Sequence, residues 1–127
     1  MHSTSSPAVL IVDDDQPTQQ LLEAVIRRIG FTSAIASNGQ MAIDLLNERD
    51  DFRCVILDLM MPAVDGISVI AHMAKTNRRT PVIVCTAAAA RTFPELDPAI
   101  VRAIIRKPFD VEELSAAVAG LVDAADG

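Results

Sequence analysis

The sequence predicts a single doubly wound α/β domain, a five-stranded parallel sheet with helices on both faces. Three observations predict it. Short continuous apolar runs recur at Ala8-Val9-Leu10-Ile11-Val12, Val55-Ile56-Leu57, Pro81-Val82-Ile83-Val84-Cys85 and Ala103-Ile104-Ile105, as strands buried on both faces require. Stretches with apolar residues at helical spacing alternate with them, and parallel strands need crossovers of that length. Each run leads into a residue that carries chemistry: Asp13 and Asp14, Asp58, Thr86, and Lys107 after Arg106. In open α/β sheets the carboxyl ends of the strands are where ligands bind.

The elements follow in order. Residues 1–7 are polar, with no cationic segment before an apolar one, and read as a flexible tail rather than a secretion signal. The domain runs over 8–123. After the first strand, Asp15 is the cap of a helix with Pro17 in its first turn. Leu21, Leu22, Val25, Ile26 and Ile29 form its apolar face, and Gly30 stops it. Residues 31–36 make a weaker, alternating strand, expected at an edge. Asn38-Gly39 opens a second helix with Met41, Ala42, Leu45 and Leu46 inward, closed by the charged residues 48–51.

The third strand ends in Asp58-Leu59-Met60-Met61-Pro62. Asp65-Gly66 is a turn and cap, and Ile67, Ile70, Ala71 and Ala74 are the expected inner face of the third helix. His72 is read as solvated. The fourth strand ends at Thr86. The stretch between it and residue 103 should hold a helix, yet it contains Pro94 and Pro98. An internal proline costs about 3 kcal/mol, so this helix is expected to be short or broken. Ala87 to Ala90 reads either as a small-residue gate or as the helix start. After the fifth strand, Asp110 and Glu113 form a capping box. Leu114, Ala117, Val118, Leu121 and Val122 face inward, and 124–127 should fray. Five alternations give the flavodoxin-like order 2-1-3-4-5.

Composition bounds the function. The net charge of −6 argues against direct nucleic acid binding, which needs clustered Lys and Arg. No apolar run approaches the roughly 18 residues of a membrane span, so no membrane insertion is expected. Cys54 and Cys85 fall early and late on neighbouring strands, too far apart for a disulfide. They read as buried thiols of a cytoplasmic protein.

Asp13, Asp14 and Asp58 meeting in one crevice would repel one another unless a cation joins them. Mg²⁺ suits such a set, because it takes oxygen ligands through one or two carboxylates and keeps waters. Asp58 could act as a nucleophile toward a phosphoryl group, with Lys107 neutralising charge and the Thr86 hydroxyl donating. Taken singly, Asp58 could be a strand-end cap, Thr86 a β-branched strand residue and Lys107 a surface cation; their shared edge is what makes them a site. Asp15 fits a cap better than a ligand.

Leu10-Ile11-Val12-Asp13-Asp14-Asp15, Val55 to Pro62, Asp65-Gly66, Thr86-Ala87 and Lys107-Pro108-Phe109, all in order, resemble the receiver domain of two-component response regulators over residues 8–122. The resemblance implies that Asp58 accepts a phosphoryl group from a histidine kinase or a histidine phosphotransfer protein. It implies Mg²⁺ held by Asp14, Asp58, the Met60 carbonyl and, through water, Asp13. It implies a cis Lys107–Pro108 bond, a switch through Thr86 and the strand-five position of Ile104, and a downstream protein partner or fused output domain. The sequence departs from the family at Ile104, where an aromatic is usual, at Pro94 and Pro98, and at Ile100-Val101 in place of Gly-Ala. Two other readings stand beside the phosphorylation switch: a phosphorylation-independent interaction module on the same fold, and a small Mg²⁺-dependent phosphatase. The second lacks a cap domain and an evident general acid. No small-molecule turnover is expected beyond assistance to Asp58's own phosphorylation and dephosphorylation.

Overall fold

The computed structural model describes residues 7–61, 65–87 and 96–126. The elements are β1 (Ala8–Val12), α1 (Gln16–Arg28), β2 (Thr32–Ala36), α2 (Gly39–Glu48), β3 (Phe52–Leu57), α3 (Gly66–Lys75), β4 (Val82–Thr86), β5 (Val101–Arg106) and α4 (Val111–Asp126). All strands are parallel, in the order β2-β1-β3-β4-β5. The expected broken helix falls mainly on residues 88–95, outside the described residues. Pro98 itself lies in a turn, where Asp97 accepts hydrogen bonds from the Ala99 N–H at its side chain and from Ile100 and Val101 at its carbonyl.

Both faces of the central strands β1, β3 and β4 are buried, which is why these read as continuous apolar runs. The outer strands β2 and β5 are part-exposed, and Ile104, expected in a doubly buried run, is 48% exposed because no further strand among the described residues covers β5 on its outer edge. Leu10, Val12, Val55, Leu57 and Val84 pack with Leu46, Val69 and Met73 of α2 and α3. Val9, Ile11, Ile56, Ile83 and Cys85 pack with Leu22, Ile26, Leu114 and Val118 of α1 and α4. Each such side chain, once buried, contributes about 1.5–3 kcal/mol. Cys54 and Cys85 are free and buried.

Helix starts follow the sequence. Asp15, Asn38 and Asp65 cap α1, α2 and α3 by accepting from Thr18 N, Met41 N and Ser68 N, and Asp110 accepts from Glu112 N at 2.8 Å. Gly30, at φ +94°, ends α1 as expected. Four details of the faces and ends differ. Leu21 is 47% exposed and Met41 42% exposed, because each precedes the centre of its helix's buried face, Leu22-Val25-Ile26 and Ala42-Leu46 respectively. In α3 the inner face is Val69, Ile70 and Met73, with Ala71 and Ala74 exposed. Gly66 fixes that phase, since it must point at the loop after β3, and 66, 69/70 and 73 share a face. Pro7, read as tail, accepts from Thr32 N at 2.9 Å and so belongs to the sheet edge. The helical backbone of α4 continues to Asp126 where fraying was expected; Ala124 and Ala125 are strong helix formers, and the first breaker is Gly127.

Candidate functional site

The parallel register brings the ends of β1, β3, β4 and β5 to one edge. Asp13 N donates to Ala36 O at 3.1 Å and Asp58 N to Val12 O at 3.0 Å. The sheet hydrogen bonding therefore continues one residue beyond each strand and holds both backbones. Asp13, Asp58 and Thr86 are the buried polar or charged residues among those described, at 1%, 7% and 0% exposure. Asp14 is exposed. Asp13, Asp14 and Asp58 each offer a carboxylate oxygen, all within 4.8 Å of one another.

Every buried acid is held. Asp13 Oδ1 accepts from Asp15 N at 2.9 Å, and Asp58 Oδ1 accepts from Met60 N at 3.0 Å. The Lys107 ammonium donates to Asp13 Oδ2 at 2.7 Å and to Asp58 Oδ2 at 3.2 Å. Its backbone N–H donates to the Thr86 carbonyl at 3.0 Å, which ties the lysine to the end of β4. Lys107–Pro108 is cis, as the resemblance implies. Burial pulls the Lys107 ammonium down, but the hydrogen bond to Asp13 and the charges of Asp58 and Asp13 outweigh it and leave the pKa raised. Lys107 is therefore a fixed positive charge. Burial pushes the Cys85 thiol, at the end of the same sheet, up to about 11, so it is no nucleophile at neutral pH.

The expected residues assemble as follows. Asp13, Asp14, Asp58 and Lys107 come together, and Thr86 joins them through the Lys107 backbone. Met60 lies on the loop after β3 with its side chain 62% exposed and its N–H on Asp58. Ile104 stands apart, 48% exposed on β5 opposite Val84. His72, read as solvated, is half-buried with its ring Nε2 3.1 Å from Asn47 Oδ1. Beside Lys107 is a shallow open pocket lined by Thr18, Leu21, Ala87, Pro108 and Phe109.

One residue of the site's frame, Gln19, lies outside the motif reading, and a second, Gly66, was read within its motif only as a turn. Gln19 donates its amide to Asp13 O at 2.6 Å and to Ser37 Oγ at 3.2 Å. Its position on α1, one turn past the Asp15 cap, was the signal available. A Cβ at Gly66 would stand 2.4 Å from Asp58 O and 2.7 Å from Leu59 Cα, so glycine is required for close approach.

Chemically, the cluster presents hard oxygen donors with one exposed member and an ammonium opposite. A divalent cation such as Mg²⁺ fits that donor set, with its remaining positions open to water or to a phosphoryl oxygen.

The family described as the response regulator receiver domain matches residues 9–119. The chain belongs to that family. The transcriptional regulatory protein SrrA of Staphylococcus aureus is 40% identical over 87 residues, covering 68% of this chain and 35% of SrrA. The chain thus spans about a third of that relative's length. Among solved structures, the receiver domain of Francisella response regulator 1452 is 30% identical, with a TM-score of 0.84 over 93% of this chain and 98% of that one. The response regulator TrrA of Thermotoga maritima, solved in complex with Mg²⁺ and BeF, is 26% identical with a TM-score of 0.79, over 90% of this chain and 97% of that one. This receiver domain is a two-component signalling domain with an acidic site compatible with Mg²⁺. Among the described residues, no helix is long and apolar enough to cross a membrane.

Proposed function

We propose that this receiver domain is a phosphorylation switch that accepts a phosphoryl group on Asp58. The donor is a histidine kinase or a histidine phosphotransfer protein. The observation that carries the reading is the bridge from one Lys107 ammonium to both Asp13 and Asp58, within a cluster of three carboxylates. A carboxylate already facing a fixed cation can accept a phosphoryl group without building up unbalanced charge.

In the transfer, an Asp58 carboxylate oxygen attacks phosphorus. The donor's N–P bond breaks as the O–P bond forms, giving an acyl phosphate. The nitrogen keeps the bonding electron pair. Lys107 turns its ammonium to the arriving phosphoryl oxygens, and the Thr86 hydroxyl donates to one of them. Asp13, Asp14, Asp58 and the Met60 carbonyl would hold Mg²⁺, which when bound neutralises phosphoryl charge. Hydrolysis of the acyl phosphate resets the switch, and no turnover of a separate small molecule is expected. The state of Asp58 reaches a downstream protein or a fused output domain through Thr86 and the Ile104 region of β5. The domain works in the cytoplasm, where its kinase partner finds it, and does not itself bind nucleic acid.

Beryllofluoride, a phosphoryl mimic, tests the geometry. With Mg²⁺ it should give a bound ¹⁹F resonance in the parent chain and none in Asp58→Asn. A parent spectrum with free fluoride species alone would overturn the assignment.

A further inference from the structure

A cavity of about 230 Å³ lies at the amino-terminal edge of the sheet, the end away from the acid cluster, between the end of α3 with its following loop and the turn that enters β5. Backbone hydrogen bonds fix both walls. Asn77, at φ 58°, reverses the chain after α3: its N–H donates to Ala74 O at 3.2 Å, and the Arg78 N–H donates to Met73 O at 2.7 Å. The Arg78 side chain anchors this loop to the carbonyls of Leu46 and Arg49. On the other wall the Asp97 carbonyl accepts from Ile100 N at 3.0 Å and from Val101 N at 2.8 Å. Val82 N donates to Ile100 O at 2.8 Å and ties that turn to the start of β4. The cavity is therefore preformed, as ligand pockets usually are.

The lining carries two opposite charges that do not meet. Arg79 is exposed and makes no hydrogen bond or ion pair through its side chain among the described residues. By contrast, Arg49 is clasped to Asp51 at 2.7 Å. Across the cavity, Asp97 Oδ1 accepts from Ala99 N at 2.9 Å, and its other carboxylate oxygen has no hydrogen-bond partner among the described residues. The Asn77 side-chain amide, on the arginine wall, is likewise unpartnered among the described residues. Met73 and Ile100, both buried, supply apolar lining between the two walls.

We infer that this cavity binds a small zwitterion with an aliphatic side chain, the chemistry of a free apolar α-amino acid. The Arg79 guanidinium, with the Asn77 amide, takes the carboxylate, for which a planar fork of N–H donors is suited. The Asp97 carboxylate takes the ammonium, and the aliphatic side chain lies against Met73 and Ile100. A molecule with both charges satisfies both unpaired groups at once. A plain anion would leave Asp97 facing like charge, and a metal cation would be opposed by the guanidiniums of Arg78 and Arg79. The volume is below the roughly 300–1,000 Å³ of pockets for drug-sized ligands, which suits an amino acid better than a nucleotide. The cavity adjoins the start of β4 at Val82, about 13 Å from its end at Thr86 at ordinary strand rise, so the inference does not rest on the function proposed above. An occupant braces the turn before β5 against the loop after α3 and stabilises the folded domain by mass action.

The test is a titration of the full ¹⁵N-labelled chain with L-leucine, L-isoleucine, L-valine and L-methionine, followed by amide ¹H–¹⁵N spectra. At least one of them should shift the amides of Asn77, Arg79, Ala99 and Ile100 saturably. For that amino acid, Arg79→Gln and Asp97→Asn should each weaken binding roughly tenfold or more, the loss of about 1.4 kcal/mol. Arg79 holds nothing in the fold, and Asp97→Asn keeps the oxygen that accepts from Ala99 N, so both variants test charge rather than folding. The carboxamide and the N-acetyl form of the same amino acid, each lacking one charge, should bind as weakly as the variants. No saturable shift with any of the four overturns the proposal. So does equal affinity of the N-acetyl form or of Asp97→Asn, since the cavity would then be a simple anion site. Affinity lost in Asp58→Asn, with shifts at Asp13 and Asp58, would move binding to the acid cluster and overturn it as well.

Discussion

At the residue scale the site turns on Lys107. It bridges Asp13 and Asp58, so it balances charge that a cation would otherwise balance. Lys107→Ala should therefore fold but depend more on Mg²⁺: millimolar Mg²⁺ should raise its Tm by more than it raises the parent's. An equal shift in both would mean that the ammonium and the metal do not share the acids. The thiols give a second residue-scale prediction. Burial pushes Cys54 up to about 12 and Cys85 up to about 11, from an ordinary value of 9.0. Below pH 9 both states hold these protons. Above it the unfolded chain loses them first, so stability falls as pH rises toward 11 and 12. A Cys54→Ala/Cys85→Ala variant, followed by urea melts across that range, should show a flatter alkaline decline than the parent. The raised Lys107 acts in the same direction in both proteins and cancels in the comparison.

At the scale of elements, two joints hold the frame. Gly66 lets the start of α3 press on the backbone of Asp58 and Leu59. Gly66→Ala sets a methyl against backbone atoms that cannot swing aside. The expected loss is about 1–3 kcal/mol, as for overpacking, with a weaker Mg²⁺ effect because the displaced carbonyl belongs to Asp58. Urea denaturation with and without Mg²⁺ reads both. The second joint is Arg78, which donates to Leu46 O, to Arg49 O at 2.8 Å and to Thr80 Oγ1 at 3.1 Å, binding the end of α2 to the loop after α3. Arg78→Ala should cost about 2–3 kcal/mol, since hydrogen bonds from a charged donor are worth about 1.5–3 kcal/mol. Neither joint was legible as such. Gly66 looked like any turn glycine and Arg78 like a loop charge, because each acts on residues distant in sequence. Caps were legible because Asp15, Asn38 and Asp65 act within three residues. Helix faces were legible where Leu, Ile and Val repeat, and misjudged in α3, where alanines competed with Val69 and Met73.

For the whole molecule, strand order and the acid-lysine constellation were readable in advance for one reason. A parallel sheet buried on both faces leaves few places for charge, so a charge that ends an apolar run marks an edge. The burial of Asp13, Asp58 and Thr86 at the carboxyl ends of β1, β3 and β4 agrees with that logic. What each loop does with the site depends on tertiary contacts such as Gln19 on Asp13 O, which no periodicity encodes. The assembled cluster also predicts a global response: Mg²⁺ should raise the parent's Tm by binding the folded acids in preference to the unfolded chain. Asp13→Asn/Asp14→Asn should lose that rise.

The most direct measurement is intact mass after incubation with Mg²⁺ and a small acyl-phosphate donor, for the parent and for Asp58→Ala, with transfer from a histidine kinase run in parallel. One added phosphoryl group is expected on the parent by at least one donor, and none on Asp58→Ala. A parent left unmodified by both donors, or an Asp58→Ala variant modified as readily as the parent, would contradict it.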